Sequence, residues 1–155
     1  MIPTQTPVQT PMQIALAEAQ AAAARGEVPV GAVITDATGN VIAKAGNRVE
    51  AANNPAQHAE MLVLTAASAA LGTRYLAEHT LTVTLEPCAM CAGAIAAYRI
   101  KKLVFAAYDA KSGAIDHGPR IFTHTTTHHK PEIIGGMGEQ AAAEMLQAFF
   151  AARRG

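Results

Sequence analysis

Cysteine occurs twice in this chain of 155 residues, as Cys88 and Cys91, and tryptophan does not occur. Two cysteines cannot build the disulfide framework of a small secreted domain or a four-thiolate metal site. Aromatic residues make up 5% of the chain and charged residues 15%, so the core must come from aliphatic side chains and alanine. No apolar run approaches the roughly 18 residues of a membrane span, so no membrane association is expected. The N-terminus has no basic segment followed by an apolar stretch, so no secretory signal is expected. Neither charge sign is in excess, with twelve basic and twelve acidic side chains. Such a balance supplies no overall field to attract nucleic acid. The distribution is less even: eight of the basic residues and only five of the acids follow position 98. Two reduced cysteines fit a cytoplasmic location.

What is present centres on Leu85-Glu86-Pro87-Cys88-Ala89-Met90-Cys91, read with His58-Ala59-Glu60. Residues i and i+3 share a helix face, so the two sulfurs can hold one ion. A helix N-terminus there favours thiolate over thiol. One histidine and two thiolates leave a fourth position open, as in a catalytic rather than a structural zinc site. Glu60 is placed to move protons for water activated by the metal. The H-x-E…P-C-x-x-C pattern is the signature of zinc deaminases. A haem attachment motif is excluded because Ala92 follows Cys91. A redox pair would leave His58 and Glu60 without a role.

Residues 1–10 are rich in Pro, Thr and Gln, the composition of a disordered tail. One domain is expected over residues 11–155. Thr10-Pro11-Met12-Gln13 reads as a capping box that opens an alanine-rich helix to about Arg25. Val28 to Asp36 and Val41 to Asn47 flank a turn, which makes a hairpin. Asn54 and Pro55 are expected to open a helix bearing His58 and Glu60 in its first turn, with Met61, Leu64, Ser68 and Leu71 as its core stripe. Thr80 to Leu85 alternates like a half-buried strand. A helix follows over Cys88 to Tyr98, then a strand over Lys102 to Ala107. Tyr108 to His129 reads as a loop with a short helix near Pro119. A fifth strand is expected at Glu132 to Ile134. The last helix, from about Gly138 to Arg154, should bury Ala142, Met145, Leu146, Phe149 and Phe150. Strand–helix–strand alternation argues for an α/β fold, a three-layer sandwich with helices on both faces. Both ligand segments then lie at helix starts beside strand ends, where such sheets place their sites.

The chain resembles the cytidine deaminase-like superfamily and, within it, the bacterial tRNA-specific adenosine deaminases. The resemblance runs from about Met12 to Arg154. It rests on Glu27 to Val33, Gly46-Asn47-Arg48, the His58 and Cys88 motifs with their flanks, Asp109-Ala110-Lys111-Ser112-Gly113, and Phe149-Phe150 with Arg153-Arg154. It implies a central mixed five-stranded sheet, one zinc ion per subunit, a homodimer, and conversion of the wobble adenosine of a tRNA anticodon stem-loop to inosine with release of ammonia. It implies His58, Cys88 and Cys91 as ligands and Glu60 as proton shuttle. It implies Asn47 as a contact to the nucleoside, with Asp109 near the anticodon loop and Arg153 and Arg154 in a tRNA-contacting tail. Tyr108 departs from the arginine that often precedes the aspartate, and Ala151 and Ala152 replace bulkier or basic residues.

The basic residues after position 98, among them Lys101, Lys102, Lys111 and Arg120, are the candidate RNA contacts. A deaminase of free guanine, cytosine or cytidine would need the same zinc motif and no basic surface. A zinc-stabilised RNA-binding module would not need Glu60. His117, His124, His128 and His129 have no cysteine or acid at ligand spacing and read as polar loop residues.

Overall fold

The computed structural model describes residues 8–154. The proposed tail falls mostly outside them. Thr10 is inside and caps the first helix. Its hydroxyl accepts from the Gln13 N–H at 3.1 Å, and the Gln13 side chain accepts from the Thr10 N–H at 2.8 Å. With Pro11 at the first helical position, α1 spans Pro11–Ala24. Such a cap contributes about 1 kcal/mol.

The remaining elements are β1 (Gly31–Thr35), β2 (Val41–Gly46), α2 (Val49–Ala52), α3 (Ala59–Leu71), β3 (Thr80–Leu85), α4 (Ala89–Ala97), β4 (Lys102–Ala107), a 3-10 turn at Ile121–Thr123, β5 (Glu132–Gly135) and α5 (Glu139–Arg153). One sheet runs in the order β2-β1-β3-β4-β5. β1 pairs antiparallel with β2 and β3, and β3, β4 and β5 run parallel. The expected three-layer, mixed five-stranded architecture is therefore present. On one face Ala32, Ile34, Leu81, Val83, Leu103 and Phe105 pack under α3 and α4. On the other Val33, Val104 and Ala106 pack under α1 and α5. Successive residues of β1 and β4 thus feed opposite layers, as the pleat requires.

Four details depart from the sequence reading. The first strand begins at Gly31 rather than Val28, after an Arg25 to Val30 approach segment. The strand Thr80–Leu85 is buried on both faces, not half-buried. Its threonines mislead because Thr84 hides its hydroxyl by accepting from the Gly31 N–H at 3.1 Å. The helix with the histidine begins at Ala59, with His58 as its N-cap. Asn54 instead bonds the Ala56 N–H in a local turn, and a one-turn helix, α2, intervenes. The α3 core stripe is accordingly Ala59, Glu60, Val63, Leu64 and Ala67, while Leu71 is exposed. Of the expected α5 face only Ala142 is buried, and Phe150 is exposed.

Gly31 fixes how closely α1 lies on the sheet. A Cβ there would fall 2.6 Å from the Ala19 nitrogen and closer still to the Ala15 carbonyl. Both obstacles are backbone and cannot rotate away. Gly31→Ala is expected to cost at least about 1–3 kcal/mol through overpacking. The denaturation midpoint of the variant checks this, and an unchanged midpoint would show that α1 is free to lift.

Candidate active site

Two parallel strand ends and two helix starts meet at one end of the sheet. His58 and Cys88 each occupy the N-cap of a helix in extended backbone conformation, with ψ of 150° and 176°. Neither side chain caps its own helix, so both are left to face a common cleft. Cys91 follows one turn into α4 and is fully buried. His58 Nδ1 lies 3.6 Å from Cys88 Sγ and 3.5 Å from Cys91 Sγ. The three donor atoms lie within 4.8 Å of one another. A tetrahedral zinc with bonds of about 2.3 Å to sulfur and 2.0–2.1 Å to nitrogen sets nitrogen and sulfur about 3.5 Å apart. The donor set fits that ion in chemistry and in spacing.

The electrostatics of the thiols agree. A hydrogen bond from Cys91 holds the Cys88 thiol down to about 4, against its burial and with the help of His58. The proton shared with Cys88, together with burial, pushes the Cys91 thiol up. The pair thus keeps one proton, which a metal ion would displace. Glu60, on the first turn of α3, is 4% exposed. Burial raises its carboxyl above the usual range, opposed by its own N–H and the His58 charge. A carboxyl so placed can both take and return a proton.

The cleft above these groups measures about 390 Å³, within the range of small-molecule sites. Asn47 lines it. Its side-chain oxygen accepts from the Ala59 N–H at 2.8 Å, and its backbone carbonyl accepts from Arg25 at 3.0 Å. What Asn47 offers to an occupant is therefore its amide N–H. Asp109 and Arg153 also line the cleft, whereas Lys111 and Arg154 line an adjoining groove with Tyr108, Leu146 and Phe150. Lys102 lies at the N-terminal end of β4, the far end of the sheet from the cleft, and neighbouring Lys101 pairs with Glu78.

Four contributors to the cleft escape sequence reasoning. Phe149 and Phe150, assigned there to the core, form its outer wall. Arg153 holds that wall by donating to the Gly26 carbonyl at 2.7 Å, with its guanidinium 4.2 Å from the Phe149 ring centre. Two buried carboxylates support the other walls. Glu27 accepts from the N–H groups of Glu50 and Ala51, both at 2.9 Å, and so fixes α2. Its burial would raise its carboxyl, but those donors with Arg25 and Arg48 hold it low. Glu86 does the same for the segment after β4. Burial opposes its charge, and the Asp109 N–H, the His117 ring and the N–H groups of Asp116 and Ile115 outweigh that effect.

The histidine loop gathers no second metal group among the described residues. His117 donates to Glu86, His124 to the Pro119 carbonyl and His129 to the Ile100 carbonyl. Each of these three is held by a hydrogen bond within the protein. No helix among the described residues is long and apolar enough to cross a membrane.

Residues 5–107 match the family described as the cytidine and deoxycytidylate deaminase zinc-binding region. A tRNA-specific adenosine deaminase of Agrobacterium fabrum is 46% identical over 143 residues, 92% of this chain and 93% of that protein. A solved structure from studies of A-to-I editing by tRNA:A34 deaminases at the wobble position superposes with a TM-score of 0.86 at 46% identity, covering 88% of this chain and 98% of that one. The guanine deaminase from Nitrosomonas europaea superposes with a TM-score of 0.80 at 25% identity, covering 91% and 83%. With a His-Cys-Cys donor set above a buried glutamate, and with this likeness along nine-tenths of its length, the chain belongs to the zinc-binding deaminase family, among the tRNA-specific adenosine deaminases.

Proposed function

We propose that this protein is a zinc-dependent hydrolase that converts the wobble adenosine of a tRNA anticodon loop to inosine and ammonia. The observation that supports the chemistry best is the meeting of His58, Cys88 and Cys91 beneath a cleft whose floor also holds Glu60. These three residues would hold one zinc ion per chain, and Cys88 and His58 come from different helix starts. When bound, the ion lowers the pKa of water and makes it a nucleophile at neutral pH. Glu60 would take one proton from the water as its oxygen bonds to C6 and give it to the adjacent purine ring nitrogen, then take the proton of the new C6 hydroxyl and give it to the amine as the C6–N bond breaks. Water and adenosine thereby give inosine and ammonia. Asn47 orients the base through its amide N–H. A stacked base cannot reach this floor, so the nucleotide must be splayed out of the loop.

The RNA half of the reading is supported by the relatives and by the rim. Phe150 is 42% exposed beside Asp109 and Arg153, and Lys111 and Arg154 line the continuing groove. Residues 11–155 act as one deaminase domain in the cytoplasm. The working unit is a homodimer. Met90 is 40% exposed on α4, and Gly93 has open space where a Cβ would stand, which leaves a close-packing face for a second copy.

Four experiments test this. Glu60→Ala is expected to retain one zinc per chain while turnover falls by roughly 10²- to 10⁴-fold, the usual share of a general acid–base group. In Cys88→Ala the zinc content should fall below one per chain by metal analysis, and an unchanged content would remove the proposed ligand set. For the substrate, anticodon stem-loop RNA and free guanine, cytosine and adenine are compared for inosine and ammonia release. Turnover of a free base with none on RNA would transfer the reading to the free-base deaminases. If Lys111 and Arg154 meet phosphates, alanine at each should reduce the log–log salt slope of RNA binding by about 0.7.

A further inference from the structure

Glu86 is the first residue after β3, and its backbone N–H bonds the Ala107 carbonyl at 2.8 Å where β4 ends. Its side chain is 2% exposed and lies under the segment that follows β4. Oε1 accepts from the Asp109 N–H at 3.0 Å and from His117 Nδ1 at 2.8 Å. Oε2 accepts from the N–H groups of Ile115, Asp116 and His117 at 3.1, 2.9 and 3.1 Å. Five donors thus converge on two oxygens that offer about four lone-pair directions. The loop has no helix or strand of its own from Asp109 to His117. It is wound around one carboxylate.

The winding leaves room for nothing else. A Cβ on Gly113 would fall 2.5 Å from the Glu86 carboxyl carbon. Asp109 Oδ1 in turn accepts from the N–H groups of Lys111 and Ser112, at 3.1 and 3.0 Å. Asp109 and Ser112 line the cleft. A chain of hydrogen bonds therefore runs from Glu86 through the Asp109 backbone to the cleft wall. Cys88 lies two residues beyond Glu86 on the same strand end, so one element registers both the metal ligand and the opposite wall.

We propose that Glu86 is a positioning residue for the RNA substrate: by gathering residues 109–117 around its carboxylate it places Asp109 and Ser112 against the bound nucleotide. This rests on the deaminase reading above. Glu86 does not touch the reacting atoms, so it acts on substrate engagement more than on the chemical step.

Glu86→Gln keeps the shape and turns one acceptor into a donor facing N–H groups. Its stem-loop KM is expected to rise roughly ten-fold or more, as for loss of hydrogen bonds to a charged group, with kcat within about three-fold and zinc at one per chain. His117→Ala removes the ring contact alone and keeps the four backbone bonds. It should shift KM in the same direction by a smaller factor, and it remains informative if Glu86→Gln folds poorly. Amide hydrogen exchange should quicken at Asp109, Ile115, Asp116 and His117 in Glu86→Gln. Faster exchange with KM and kcat unmoved would overturn the proposal, since the anchor would then be structural only. A loss of zinc, or a fall in kcat at constant KM, would also overturn it. If the unaltered protein fails on the stem-loop, the substrate reading fails instead. The same KM comparison is then made on whichever base it deaminates, and the exchange measurement still reports whether Glu86 holds the loop.

Discussion

His58 Nδ1 reaches both cysteine sulfurs only because the starts of α3 and α4 are brought side by side, and the rest of the molecule serves that meeting. α3 lies over the antiparallel half of the sheet and α4 follows β3 into the parallel half. The ligands are therefore as well placed as the junction between those halves, the β1–β3 pairing of Ala32 with Val83 and Ile34 with Leu81. A one-residue slip there would turn the inward side chains of β3 to the other face and carry Cys88 with them. The close seating of α1 on Gly31 and Gly46 guards the same register from the opposite layer.

Around this floor the walls differ in how firmly they are held. Glu27 and Glu86 are carboxylates taken almost wholly out of water, which is costly unless nearly every lone pair finds a donor. Each finds backbone N–H groups, so each converts a loop without its own ladder into a fixed surface. The third wall, α5, is fastened differently. Arg153 reaches Gly26 from an exposed position, and such contacts contribute little against solvent. The site is thus a floor between two walls anchored on buried carboxylates and a third fastened by Arg153.

Much of this was legible in the sequence because it rests on period and punctuation. The capping box at Thr10, the turn at Ala37 to Asn40 and the strands at Thr80 and Lys102 follow from local chemistry alone. The donor trio was legible because so few residue types bind zinc. Other features leave no local trace. Asn54-Pro55 has the form of a helix start, yet Glu27, more than twenty residues earlier, stabilises a different turn in the chain just before it. Phe149 and Phe150 have the spacing of a core face, and only the position of the cleft turns them into a wall. Glu86 stands in the central motif, but its anchoring role leaves no trace because four of its five donors are backbone N–H groups, which carry no residue identity. The basic residues counted together after position 98 separate in space, since Lys101 and Lys102 stand at the end of β4 opposite to Asp109 and Lys111.

That separation bears on how the substrate is chosen. A guanine deaminase shares the fold of this chain, and a donor trio over a glutamate serves any amino group on an unsaturated ring. The floor therefore cannot discriminate between a free base and a nucleotide in RNA. Discrimination must come from the walls, which here are the loop around Glu86 and the face of α5. Charge alone cannot supply it, because the chain is neutral and the arginines closest to the cleft, Arg25 and Arg153, already donate to the Asn47 and Gly26 carbonyls. Few phosphates can then be neutralised, and the counterion contribution to RNA affinity is correspondingly small. The remaining affinity has to be shape and stacking, for which the exposed ring of Phe150 beside the Asp109 wall is placed. Substrate choice in this protein is thus a matter of how accurately two walls are held, and the buried carboxylate of Glu86 holds one of them.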